Sequence, residues 1–136
     1  MRRAIADELQ ILWSKNENLD DIESKIEALE RLKAATTVDD VPDLIEALQS
    51  DKSDFWIREL LSEPICQIGG AKYLEELFDA FAQNYADGHD NDGFAHHLSE
   101  LAFFEPEECR KRLQELLRLP DYPHSKYAEW LLEFCN

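Results

Sequence analysis

The stretch 41–81, VPDLIEALQSDKSDFWIRELLSEPICQIGGAKYLEELFDAF, decides the fold. Leu44, Ile45 and Leu48 lie on one face of a helix that Pro42 opens in its first turn, where a missing N–H costs nothing. A polar turn follows, and Asp54 starts a second helix. Its apolar residues Phe55, Trp56, Ile57, Leu60, Leu61 and Ile65 exceed a narrow stripe, so it is expected to be packed on more than one side. Pro64 offers no N–H to the Leu60 carbonyl and crowds it, which predicts a bend. Gly69-Gly70 predicts a left-handed stop. Leu74, Leu77, Phe78 and Phe81 then recur at i, i+3, i+4 and i+7, as a one-sided helix requires. Leu44 and Leu74 stand thirty positions apart, as do Leu48 and Phe78. A repeat of about 20 to 50 residues marks a stacked array.

Working outward, Ile5, Leu9, Leu12 and Trp13 give an amphipathic helix over 3–15, the N-terminal cap of the array, ending at Asn16-Glu17-Asn18. Asp20 and Glu23 form the start signal of the next helix, with Ile22, Ile26, Leu29 and Leu32 as its buried stripe. Residues 20–49 and 54–86 are the first two hairpins. The loop NYADGHDNDG over 84–93 separates them from a third, 94–119. In that hairpin Pro106 opens the second helix with Glu107 and Glu108 at its positive end. Ser125 caps a closing helix over 125–135. The expected architecture is all-α, a single domain over 1–136 with about eight helices.

The 136 residues carry 30 acidic and 14 basic side chains, a net charge of −16. Such a surface repels nucleic acid and anionic lipid, whose binding needs Lys and Arg at the phosphates. Two readings fit it: a solvated surface that keeps the chain soluble, or a face for a basic protein partner. Cys66, Cys109 and Cys135 sit in apolar helical patterns, as buried thiols of a reducing cytoplasm do. No signal peptide or membrane span is expected.

Chemistry finds little support in the spacing. The 87–92 loop fails as a calcium loop. With Gly93 as its sixth residue the first place is Gly88 and the twelfth is Ser99, where an acid and a bidentate Glu are wanted. His96 and His97 are adjacent and point about 100° apart on a helix. The cysteines read as small buried hydrophobes. No catalytic residue, metal or cofactor is expected.

The central stretch resembles a HEAT repeat, in particular the short bacterial HEAT-like form related to phycobilisome lyases. The residues that carry the resemblance are Leu44–Leu48, Asp54, Arg58, Pro64, Ile65, Ile68-Gly69 and Ala71 to Leu77. It implies a right-handed α-α superhelix, an armadillo-type solenoid. HEAT-like iron hydroxylases carry repeated His-Glu pairs, and this chain has no His-Glu dipeptide. HEAT-like DNA glycosylases need a basic concave surface, against the charge found here.

In HEAT stacks the second helix of each hairpin lines the concave side. That implies an acidic wall of Asp43, Glu46, Glu75, Glu76 and Asp79, with Glu107, Glu108 and Glu115 beyond. Asp87, Asp90 and Asp92 extend its edge, and Tyr73 is an aromatic anchor. The expected function is capture of a basic partner, as in immunity proteins that neutralise basic toxins. The alternative is a lyase-like enzyme or enzyme subunit acting on a small molecule.

Overall fold

The computed structural model describes residues 1–14 and 19–136, with side chains from residue 21 onward in the second segment. Among them the regular elements are all helical, and none is a strand. Helix α1 (Arg3–Trp13) buries Ile5, Leu9 and Leu12, chiefly against α2 (Leu19–Ala35). The stop expected at 16–18 lies outside the described residues, and Asp20, expected as the cap of α2, falls inside that helix, which already begins at Leu19.

The stripe expected on α2 is rotated. Ala28, Leu29 and Leu32 are buried, but Ile22 and Ile26 are 42% and 47% exposed. Lys25 takes the inward position instead. It pairs with Asp21 at 3.3 Å and lies 5.8 Å from the centroid of the Trp56 ring. A cation over an aromatic face satisfies that end of the helix, and the two isoleucines one position on turn outward.

Thr37 and Asp40 form a reciprocal capping box around the 3₁₀ turn Val38–Asp40. The buried Asp40 carboxylate also accepts two hydrogen bonds from one edge of the Arg2 guanidinium, from Nε at 2.8 Å and Nη2 at 2.6 Å. This pins the N-terminus beside α3 (Val41–Leu48), with Pro42 in its first turn. Asp54 caps α4 (Phe55–Pro64) by accepting the Ile57 N–H at 2.9 Å.

At Pro64 the α-helical ladder gives way to a π turn, Ile65–Gly69, and then a 3₁₀ turn, Gly70–Tyr73. Of the two glycines only Gly70 has positive φ (71°, with ψ −159°), a region open essentially to glycine alone. Helix α5 (Leu74–Ala86) buries Leu74, Leu77, Phe78 and Phe81, the residues its periodicity names. Helices α6 (Asp92–Phe104), α7 (Pro106–Leu117) and α8 (Ser125–Leu132) complete the chain. Residue 124, not Ser125, holds the cap position of α8, and the helix stops at Leu132.

Helix α2 rests on α4, α4 on α6 and α6 on α8, while α3 and α5 also pack on α4, α7 packs on α6 and α8, and α5 touches α7. Leu44, Leu48, Leu61, Leu74, Leu77 and Phe78 are almost wholly enclosed. Each contributes roughly 1.5–3 kcal/mol by leaving water. Phe81 joins three helices: its ring lies 5.3 Å from Phe94, 5.0 Å from Tyr127 and 6.0 Å from Trp130, centroid to centroid. Among the described residues no helix is long and apolar enough to cross a membrane.

Candidate functional site

The turn between α3 and α4 faces α5 across an open groove of about 640 Å³. Asp51 and Asp54 line it from the turn, and Asp79, Gln83 and Asp87 from α5 and its end. Four carboxylates thus converge on a space able to take a cationic side chain. Arg58 forms part of the lining and is spoken for. It is 8% exposed, and its guanidinium donates to Asn84 Oδ1 (2.6 Å), to the Ser53 carbonyl (2.9 Å) and to Asp87.

The network runs deeper. Asn84 donates to Asn91 Oδ1 at 3.0 Å and to the Phe55 carbonyl at 3.1 Å, and Asn91 donates to the Phe81 carbonyl at 2.8 Å. His89 stacks on Phe55. The 87–92 loop is therefore a polar plug that joins the start of α4 to the end of α5. Buried polar groups need such partners.

Of the residues expected to hold a partner, the structure brings Asp79 and Asp87 into this groove. Glu75, Glu76 and Asp79 meet a different neighbourhood at α7 and the turn before α8. Glu75 pairs with Arg112 at 3.2 Å, and Asp79 bonds His124 Nε2 at 2.9 Å. Among the described residues, Glu76 Oε2 and the Tyr122 hydroxyl are enclosed without a hydrogen-bond partner. Burial, then the charges of Asp79 and Glu75, push the Tyr122 phenol up to about 12.

Asp43 and Glu46 lie on α3, half-exposed and exposed, away from the groove lining. Tyr73 packs against the core, with Lys72 Nζ 5.5 Å from its ring centroid. Asp90 and Asp92 are exposed, and Asp90 Oδ1 accepts the Asp92 N–H at 3.3 Å. Sequence reasoning missed Asp51 and Asp54 as groove residues and Arg58 as the centre of the network. The signal for the first two was present: acids in the 50–54 turn share an edge with the end of the next helix but one.

A second polar cluster has the look of a hydrolytic relay. Ser62 Oγ lies 2.7 Å from His97 Nδ1, and His97 Nε2 lies 3.5 Å from Glu63. Ser62 has no exposed surface, and its hydroxyl also bonds the Glu59 carbonyl at 2.6 Å. A hydroxyl so enclosed cannot reach a substrate. Burial lowers the His97 pKa, and Glu63 is held by Lys33 at 2.7 Å.

The thiols of Cys66, Cys109 and Cys135 are buried, and desolvation raises all three pKa values, that of Cys109 to about 12. Among the described residues no group of three or more His, Cys, Asp or Glu is placed to hold a metal ion.

No family model, curated protein or solved structure matches the chain. The groove is thus the best guide to what the molecule does.

Proposed function

We propose that this chain is a HEAT-like solenoid that captures a basic protein, acting as an inhibitor of the kind that neutralises a basic toxin in bacteria. The observation that carries the reading is the groove in which Asp51, Asp54, Asp79 and Asp87 surround one space, with the nearby guanidinium already engaged. An arginine or lysine from a partner would meet Asp51 there, beside Asp54, Asp79 and Asp87, whose carboxylates already hold the Ile57 N–H, His124 and Arg58. The net charge of −16 steers such a partner from a distance. The solenoid reading is supported by helix order: α2, α4, α6 and α8 touch in sequence, with α5 on α7. In this reading α3, α5 and α7 would form the inner side of a right-handed superhelix, with the groove on its concave wall.

The test is a pull-down at physiological salt from the cells that make the protein. A Lys- and Arg-rich partner should be recovered and should be released as salt rises. Recovery of acidic or neutral proteins alone rejects the reading.

A further inference from the structure

The geometry points to a second, smaller docking pocket on α4, the π turn and α6, which takes one large apolar side chain from a segment flanked by lysine or arginine. The cavity measures about 250 Å³. Cys66 and Leu101, 3% and 5% exposed, contribute apolar lining, and Phe104 adds an aromatic one. Glu63, Glu100 and Glu105 also line it. None of the residues that line the aspartate groove recurs here, so the pocket stands independently of that site.

Exposed aromatic surface marks the place. Phe103 and Phe104 are 71% and 74% exposed, and their rings meet edge to face with centroids 5.2 Å apart. Single exposed hydrophobes are ordinary on a protein surface. Two adjacent phenylalanines beside an apolar-lined cavity are the arrangement that an anchoring side chain fills.

Charge then selects the occupant. Three carboxylates line the pocket, and of these Glu63 is already paired with Lys33. Exposed His96 lies 2.6 Å from Glu100, and burial lowers the His97 pKa. Flanking cations on the occupant would meet Glu100 and Glu105, and one of them could lie over the Phe103 ring. A second copy of the chain is a poor occupant, because it would bring a charge of −16 against an equal charge.

The test uses the full chain, ¹⁵N-labelled, with the amidated peptide Lys-Lys-Trp-Lys-Lys as probe and Lys-Lys-Ala-Lys-Lys as control. The expected result is amide shift changes centred on 66–67 and 97–105 with the tryptophan peptide and at least fivefold weaker binding of the control. Phe104→Ser should weaken the tryptophan peptide at least fivefold without moving the unfolding midpoint, because the ring is largely in solvent. Asp51→Asn should leave this affinity unchanged. Equal binding of both peptides, shifts confined to the 49–54 turn and α5, or unaltered affinity in Phe104→Ser would each overturn the proposal. So would concentration-dependent dimerisation in sedimentation that Phe104→Ser abolishes, since the occupant would then be a second copy.

Discussion

The Glu59 carboxylate on α4 accepts the backbone N–H of Phe94 at 3.1 Å, so one helix caps the first turn of another. Gly93 leaves the space for it, because a Cβ there would collide with the Glu59 side chain. Glu59→Ala should lower stability by about 1 kcal/mol, the usual worth of a lost N-terminal cap. Gly93→Ala should displace the carboxylate and cost a similar amount, and the double variant should lose little more than either. Urea unfolding measures all three; full additivity would separate the glycine from the cap.

Arg58→Ala should be far more damaging. It strips a buried guanidinium from Asn84, Ser53 and Asp87 at once, leaving enclosed acceptors unpaired, at a cost on the order of 3 kcal/mol. Asp87→Asn should cost less than about 1 kcal/mol, since that side chain is partly in solvent. Comparable midpoints for the two variants in chemical denaturation would contradict the network drawn here.

Acid should act in two windows. The Arg2 guanidinium and the Thr37 N–H hold the Asp40 carboxyl well below the usual carboxylate range. A depressed folded pKa adds stability that is complete above the unfolded value, near pH 4, and is lost as pH falls through the folded one. The buried His97 also has a lowered pKa, so protonation of the unfolded chain, beginning near pH 6.5, draws stability away as pH falls. In urea titrations Asp40→Asn should flatten the fall below about pH 4, and His97→Gln the fall between about 7 and 5. A variant with the wild-type pH profile in its own window would remove that group from the balance.

Leu74→Asp should abolish cooperative unfolding, because it sets an unpartnered charge at a position with no exposed surface. Wild-type melting by circular dichroism would mean the interior tolerates it. This residue also shows what the sequence made legible. The spacing of Leu74, Leu77, Phe78 and Phe81 names the buried side of α5, Asp54 and Pro106 begin helices where their chemistry requires, and Pro64 ends one. Local periodicity and capping depend on neighbours within one or two turns, which a chain displays directly.

The candidate site was less legible for a physical reason. Glu75 and Arg112 are 37 positions apart, Asp79 and His124 are 45, and Arg58 and Asp87 are 29. Which acids are answered and which stay free depends on helix register across the interior, and no local pattern reports that. Ile22 and Ile26 fail similarly: an apolar stripe one position off the inward side is still a good stripe, until Lys25 settles over Trp56.

Capture of a basic partner can be tried at one residue. Asp51 is exposed and lines the groove, and the cap of α4 is Asp54 instead. Asp51→Lys should leave the urea midpoint within about 0.5 kcal/mol of wild type and reduce partner capture at least tenfold. Unchanged capture in a calorimetric titration would take the 50–54 turn out of the interface. Glu76→Lys is a poorer probe, because one Glu76 oxygen is already enclosed.

The three enclosed sulfurs give the molecule a built-in clock. An alkylating reagent can reach Cys66 and Cys109 only in those moments when the surrounding helices part, whereas Cys135 lies beyond the last residue of α8 and needs no more than a loosening of the turn that follows Leu132. Mass spectra taken over hours of labelling should therefore show one adduct early and two much later, a timed record of how the interior breathes.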